Sequence, residues 1–166
     1  MGFLERKFKP DRVYKKAIEV PFEELFKMGY RTALLDMDNT IVGDHAVHPS
    51  DYSCRVIEKI KEAGLSCCIV SNARSNRSAR LAEMLEIECV SYAGKPSPRG
   101  IFQAIDIFSG RKEEVFFLGD QIFTDISAAK NAGIYTIYIE PLEKKEIFYV
   151  RIKRPFEKII RSILRF

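Results

Sequence analysis

Short apolar runs alternate along this chain with segments that repeat their apolar residues at helical spacing. Each run is bounded by polar residues or glycine, a pattern typical of buried strands. Strands alternating with helices imply right-handed crossovers and a parallel sheet covered on both faces. The sequence therefore predicts a three-layer α/β fold with strands at about 31–37, 65–70, 89–92, 115–118 and 134–139.

The segments between these strands carry recognisable helix start and stop residues. Ser50 and Asp51 open a helix that is expected to run to about Ala63 and to be capped by Gly64. Further helices are predicted over about 76–85, from 97–98 onward, and over about 123–132 before Gly133. Three residues of the second helix are expected to face inward, and four residues of the third to share an apolar face: Leu81, Met84 and Leu85, then Ile101, Phe102, Ile105 and Phe108.

A chain of 166 residues is long enough for one domain with a proper core. We divide it into a basic helical lead-in over 1–30, a core over 31–142 and a basic amphipathic tail over 143–166. Within the lead-in, residues 11–29 are predicted to be helical, ending at Gly29. From Pro155, apolar residues recur every three or four positions, which predicts a terminal amphipathic helix.

Composition narrows the class of protein. No apolar run approaches the roughly 18–20 residues needed to cross a bilayer, and the N-terminus lacks the apolar core of a signal peptide. The four cysteines have no CxxC spacing and are expected to be reduced, as in a cytoplasmic protein. Both ends are basic, with net charges of +3 over 1–20 and +5 over 151–166, around a body of −4. This distribution favours a negatively charged partner surface at the ends.

Two carboxylates stand at the end of the first predicted strand of the core. Asp36 and Asp38 follow the run Thr32-Ala33-Leu34-Leu35, and open α/β sheets bind ligands beyond the carboxyl ends of their strands. Like charges so close repel each other unless a cation neutralises them, and oxygen ligands suit Mg²⁺. The alternative is an Asx turn, in which Asp38 or Asn39 caps the next segment.

Other polar residues follow the neighbouring strands. If the sheet is parallel, they share one edge with Asp36 and Asp38; they are Ser71, Asn72, Lys95, Asp120 and Asp125. Each also has a plainer interpretation. Ser71-Asn72 could cap a helix, Lys95 could be a solvated loop charge, and Asp125 could cap a helix. His45 and His48 are interpreted as polar loop residues, because histidine suits softer metals than this oxygen-rich site.

Together these motifs resemble those of the haloacid dehalogenase superfamily phosphatases. The resemblance rests on four motifs in family order: 36–40 (Asp-Met-Asp-Asn-Thr), 71–72 (Ser-Asn), 95–96 (Lys-Pro) and 119–125 (Gly-Asp-Gln-Ile-Phe-Thr-Asp). It implies a Rossmann-like fold with a central parallel sheet. Within the superfamily, the chain resembles the YqeG-type proteins of subclass IIIA, a group similar to mitochondrial phosphatidylglycerophosphate phosphatases.

The resemblance also implies roles for the motif residues. Asp36 would be the nucleophile that forms an aspartyl-phosphate, and Asp38 the general acid and base. Mg²⁺ would be the cofactor, with Asp36, Asp120 and Asp38 (through its backbone carbonyl) as ligands. Phosphate would be bound by Ser71, Asn72 and Lys95, with Asp125 and Thr40 in support.

The motif spacing leaves no room for an inserted lid domain. Thirty-five positions separate Asp36 from Ser71 and 24 separate Ser71 from Lys95, and one helix with its loops occupies each interval. In this family a capless site implies either a bulky substrate that closes the site itself or a lid from a neighbouring subunit.

The function implied is hydrolysis of phosphate monoesters, most favourably phosphatidylglycerophosphate to phosphatidylglycerol at the cytoplasmic membrane face. The basic tail over 151–166 could contact an anionic membrane, or it could pack on its own domain. The alternatives are a soluble phosphatase for a sugar phosphate or nucleotide with an oligomer-supplied lid, and a non-catalytic membrane- or ribosome-associated module. No nucleic acid partner is expected.

Overall fold

The computed structural model describes residues 2–74, 76–142 and 148–166. Its centre is a six-stranded sheet in which all pairings are parallel, in the order β1-β6-β5-β2-β3-β4. The strands are β1 Arg12–Tyr14, β2 Thr32–Leu35, β3 Ser66–Val70, β4 Glu88–Val90, β5 Val115–Gly119 and β6 Tyr135–Ile139. The predicted three-layer α/β fold is confirmed.

Helices connect the strands and cover both faces of the sheet. They are α1 Phe3–Phe8, α2 Phe22–Lys27, α3 Asp51–Glu62, α4 Arg77–Met84, α5 Arg99–Ile107, α6 Ser127–Ala132 and α7 Phe148–Leu164. A wider π-helical turn, Ile122–Ile126, leads directly into α6. Gly133 ends α6 with φ +74°, a left-handed conformation that glycine adopts without steric cost.

The central strands are buried on both faces, which explains their continuous apolar runs. Successive side chains of β2 point to opposite sides: Ala33 and Leu35 pack into one core with α3 and α4, and Leu34 packs into another with α5 and α6. The two cores fix the sheet between its helical layers. The carboxyl ends of β2 and β5, which pair directly, therefore end side by side.

The N-terminal segment departs from the prediction. The helical stretch expected over 11–29 is wrong at its start, because Arg12–Tyr14 forms an edge strand parallel to β6. The rest of the stretch contains a 3-10 helical turn, Ala17–Glu19, and then α2. A three-residue strand is too short to show alternation, and the residue that anchors it, Asp11, bonds to a partner 125 positions away. The division of the chain at residues 30 and 142 stays a prediction.

Smaller corrections concern the helix faces and the tail. Met84, predicted to face inward, is 46% exposed, and Phe102 lies at the margin of its helix face with 44% exposed. The C-terminal helix does not begin near Pro155 but at Phe148, with Pro155 inside it. Among the described residues, no helix combines the length and the apolar character needed to cross a bilayer. All four cysteines are free thiols.

Asp11 joins β1 to the rest of the sheet through its carboxylate. Its Oδ2 accepts hydrogen bonds from the backbone N–H of Thr136 at 2.8 Å and from the Thr136 hydroxyl at 2.7 Å, and Lys130 Nζ lies 2.9 Å away. We expect Asp11→Ala to lower the free energy of unfolding by about 1–3 kcal/mol, because three hydrogen bonds to a charged group are lost. Urea denaturation measures this. Asp106→Ala, an exposed change on α5, should cost less than about 0.5 kcal/mol, and equal losses in both variants would contradict the assignment.

Candidate active site

Three carboxylates meet where β2 and β5 end. Asp36 follows β2 and Asp120 follows β5, and the π-helical turn brings Asp125 back to them. One oxygen from each lies within 4.8 Å of the others, and all three residues are buried. The sequence prediction that these residues share the carboxyl edge of the sheet is therefore correct.

Lys95 reaches into this cluster from the loop after β4. Its Nζ lies 2.6 Å from Asp36 Oδ1 and 2.8 Å from Asp125 Oδ1. The interpretation of Lys95 as a solvated loop charge is wrong, since its ammonium is buried between two carboxylates. Asp125 pairs with Lys95, and it also accepts the backbone N–H of Gln121 at 3.0 Å, so it caps the turn as well.

Lys95 pairs with two of the three buried carboxylates, Asp36 and Asp125. Burial, reinforced by the charge of Asp125, raises the pKa of Asp36 from 3.8 to about 7, although Lys95 opposes the shift. Burial lowers the pKa of Lys95, but Asp125 and Asp36 outweigh it and raise that pKa above its usual value. The site therefore favours an additional cation.

The donor set fits a hard divalent cation such as Mg²⁺. Only oxygen ligands converge here, and Mg²⁺ is held by one or two carboxylates plus phosphate and water oxygens. The Thr40 hydroxyl lies 3.5 Å from Asp120 Oδ1, a long contact that agrees with its expected supporting position. Asp125, expected only in support, offers an oxygen to the same point as Asp36 and Asp120.

The carboxylate of Asp38 points to a different partner. Arg77, on the first turn of α4, donates from Nη1 to Asp38 Oδ1 at 2.7 Å and from Nη2 to Oδ2 at 2.5 Å. Arg77 Nη1 also donates to the Ala46 carbonyl at 3.0 Å, which ties the loop after β2 to α4. Sequence reasoning missed Arg77, because nothing in its spacing marks a partner 39 positions away.

The loop after β2 is held by a backbone hydrogen bond, and the Asp38 carboxylate binds Arg77 instead of capping the next segment as an Asx turn would. Asn39 has φ +60°, and its N–H donates to the Val42 carbonyl at 2.8 Å. This hydrogen bond does not compete with the carboxylate site, because Asp36 bonds to Lys95 and Asp38 to Arg77.

Ser71 and Asn72 support the site from the end of β3. Ser71 Oγ accepts the backbone N–H of Ala73 at 3.1 Å, which forms a local turn; the helix-capping interpretation is wrong, because α4 begins at Arg77 after Asn76. The Asn72 amide bonds to the Lys95 backbone in both directions, accepting its N–H at 2.8 Å and donating to its carbonyl at 2.9 Å. Asn72 thus holds the lysine loop in place, and phosphate binding by Ser71 and Asn72 stays a prediction.

Gly119 is required by the close approach of Asp125. A Cβ at residue 119 would lie 2.4 Å from Asp125 Cβ and 2.7 Å from its Cγ. Any larger residue would displace the carboxylate that holds Lys95. The Gly-Asp pair at 119–120 therefore combines a packing requirement with a site carboxylate.

The fold and the site together place this chain in a known class of enzyme. The family model for haloacid dehalogenase-like hydrolases matches residues 41–133, more than half of the chain. The chain belongs to this family of hydrolases.

Similar proteins agree with that assignment. The chain is 28% identical over 162 residues to "Probable phosphatase YqeG" of Bacillus subtilis, covering 98% of this chain and 94% of the relative. Two solved structures share the fold. One is the cobalt-bound deoxy-D-mannose-octulosonate 8-phosphate phosphatase YrbI of Haemophilus influenzae, with TM-score 0.55 and 12% identity over 85% of this chain and 90% of the other. The second is an uncharacterized protein of Listeria monocytogenes, with TM-score 0.55 and 17% identity over 70% and 84%.

Because burial disfavours the ionised form of Asp36, we expect that removing this carboxylate stabilises the metal-free protein. Because the pKa of Asp36 is raised to about 7 in the folded state, stability falls as pH rises from about 4 to 7 and stays lower above that. In a chelator at pH 8, Asp36→Asn should therefore be more stable than wild type, on the order of 1–3 kcal/mol. Thermal denaturation across pH 4.5–8 measures this. A gain that does not grow with pH would contradict the charge explanation.

Proposed function

We propose that this chain is a Mg²⁺-dependent phosphate monoester hydrolase that acts through an aspartyl-phosphate on Asp36. The observation that carries the proposal is the buried group of Asp36, Asp120 and Asp125 around the ammonium of Lys95. Buried carboxylates whose oxygens converge are suited to a divalent cation, and a cation with Lys95 makes a site for an anionic phosphoryl group. The name of the Bacillus subtilis relative, a probable phosphatase, supports the same activity.

The residues divide the reaction into two displacements. In the first, an Asp36 oxygen bonds to phosphorus while the ester oxygen leaves with a proton from Asp38. In the second, Asp38 takes a proton from a water molecule whose oxygen attacks phosphorus, and the bond from Asp36 to phosphorus breaks to release inorganic phosphate. Lys95 pairs with the phosphoryl oxygens.

Mg²⁺, held by Asp36, Asp120 and the backbone carbonyl of Asp38, would neutralise the charge of the phosphate. Asp125 contributes by holding Lys95 and offers a further oxygen to the cation. Ser71 donates its hydroxyl hydrogen to a phosphoryl oxygen while its lone pair accepts from Ala73. Arg77 donates to both oxygens of the Asp38 carboxylate, so this ion pair must open before Asp38 can carry the proton that it gives to the leaving oxygen.

The substrate that we favour is a lipid phosphate monoester, phosphatidylglycerophosphate. Between Ser71 and Lys95 the described residues form only α4 and β4, so no inserted lid covers the site there. A bulky substrate held at a membrane surface does not need such a lid. With such a substrate, we expect the protein to lie in the cytoplasm, at the inner face of the membrane.

The C-terminal helix supports that placement because its last three turns have two apolar faces. One face packs on the core through Leu164 and Ile160. The other exposes Phe156, Ile159 and Ile163, which we call the outer stripe, with 55–59% of each residue accessible. Lys158 and Arg165 are also exposed on this helix. The packing of the tail on its own domain is thus observed, and the outer stripe remains for an anionic membrane.

The same stripe favours a second candidate, a soluble phosphatase for sugar phosphates or nucleotides. A second copy of the chain could cover Phe156, Ile159 and Ile163 and supply a lid. A non-catalytic binding module is less favoured, because buried carboxylates that lower stability have no purpose in a protein that only binds surfaces.

Phosphate release measures the reaction and the substrate together. Wild type should hydrolyse phosphatidylglycerophosphate in liposomes faster than soluble sugar and nucleotide phosphates, and only with Mg²⁺. Asp36→Asn should lose at least about 10³-fold in kcat, because the nucleophile is removed. Asp106→Asn, an exposed change on α5, is the matched control. Activity in Asp36→Asn would refute the mechanism, and activity only on soluble esters would favour the oligomer-lidded enzyme.

Vesicle co-sedimentation measures the role of the outer stripe. Ile159→Asp should abolish binding to vesicles that contain phosphatidylglycerol, because a charge enters the apolar contact. Phe102→Asp places the same charge at an exposed aromatic on α5 and should bind as wild type does. If both variants bind equally well, the outer stripe is not the membrane contact. A wild-type dimer or tetramer that Ile159→Asp dissociates would assign the stripe to a second copy instead.

A further inference from the structure

The inner face of α7 carries a buried acid. Glu157 is 2% exposed, one residue after the exposed Phe156. Its Oε1 accepts hydrogen bonds from the backbone N–H of Ile122 at 2.8 Å and of Phe123 at 3.4 Å. These two amides begin the π-helical turn, directly after Asp120 and Gln121. A carboxylate from the far end of the chain therefore contacts the segment that carries two of the site carboxylates.

Side-chain carboxylates complete this turn at its start. The first N–H groups of a helical segment have no partner within the segment and need acceptors. Here Asp125 accepts from Gln121, and Glu157 accepts from Ile122 and Phe123. The three consecutive amides after Asp120 are thus held by one carboxylate of the site and one of the C-terminal helix. The negative charge also suits the amino end of a helical segment that continues through α6.

Packing alone does not explain an acid at this position. The surrounding cluster is apolar, with Ile122, Ile126 and Tyr138 at its centre and Phe8, Ile160 and Phe166 around them. An apolar residue at 157 would bury with less desolvation cost, because a buried carboxylate must be hydrogen-bonded to be tolerated. The carboxylate makes directional bonds to the two amides.

We propose that Glu157 is a positioning residue that sets the orientation of Asp120 and Asp125 for metal binding. Fixing the amides of 122 and 123 fixes the backbone that follows Gln121, between Asp120 and Asp125, and so constrains the directions in which the two carboxylates leave it. The inference rests on the metal site of the proposed function. It adds that the C-terminal helix is part of that site's support, although none of its described side chains lies among the metal-site carboxylates.

The proposal links the outer stripe to the catalytic loop. Phe156 and Ile159 face outward on the same turn of α7 from which Glu157 faces inward. Any partner that holds α7 against the body of the protein then also holds the turn at 122–126. By thermodynamic reciprocity, metal binding at the site should hold α7 more firmly in return.

Mn²⁺ binding, followed by the electron paramagnetic resonance of the free ion, tests Glu157 without any substrate. Glu157→Met keeps the volume and the apolar packing but has no oxygen acceptor, whereas Glu157→Gln keeps an acceptor. We expect Glu157→Met to weaken Mn²⁺ binding about tenfold or more, as the loss of a residue that supports metal ligands does. The Mn²⁺ affinity of Glu157→Gln should stay within about threefold of that of wild type. Lys158→Ala, a change at an exposed residue of the same helix, should have wild-type affinity. Wild-type affinity in Glu157→Met would overturn the proposal.

Hydrogen exchange on the wild type provides an independent measurement. Saturating Mn²⁺ should slow amide exchange both at residues 120–126 and at residues 156–164. Protection of the first segment without the second would overturn the coupling, even if the Met variant did not fold. A wild type that binds no Mn²⁺ would refute the proposed function instead. In that case, unchanged exchange at Ile122 and Phe123 in Glu157→Met would separately refute the positioning role.

Discussion

The arrangement of the site depends on two ion pairs, those of Lys95 with Asp36 and with Asp125. Charges in a protein interior are costly unless they are paired at short range and hydrogen-bonded, and here the two pairs measure 2.6 and 2.8 Å. The pairing is possible because β2 and β5 lie next to each other and end at the same level. The lysine backbone is held in turn by Asn72. Several elements of the core thus contribute to one buried ammonium.

The cluster of buried carboxylates costs folding stability but provides the charge that the reaction needs. Three carboxylates lie together in the core, and burial, reinforced by the charge of Asp125, raises the pKa of Asp36 to about 7. A protein selected for stability alone would replace one of the acids by an amide or an apolar residue. The retained charge is what a cation and a phosphoryl group require, so buried charge that is costly to the fold lies at the site.

The sequence predicted the centre of the fold because local signals there agree with the tertiary structure. β2, β3 and β5 are continuous apolar runs buried on both faces, and the polar residues that follow them could be placed at one edge by the parallel topology alone. The failures have the opposite character. β1 is three residues long and is held by Asp11, and Arg77 and Glu157 act on partners 39 and about 35 positions away. The spacing of apolar residues along the sequence gives no sign of such pairs, so they become visible only in the folded structure.

The position of β2 in the sheet has a consequence for how the protein is made. β2 belongs to the first quarter of the chain, yet one of its two neighbours, β5, begins at Val115, and the outer strand β1 pairs with β6, which begins at Tyr135. A nascent chain leaving the ribosome can therefore pair β2 with β3 early, but the other edge of β2 stays open until more than two thirds of the protein has been synthesised. Pairings between such distant segments form slowly. The pairing of β2 with β5, which brings Asp36 close to Asp120, therefore forms late. A chaperone or a pause in translation that shields the edge of β2 would act on the half of the site that is made first.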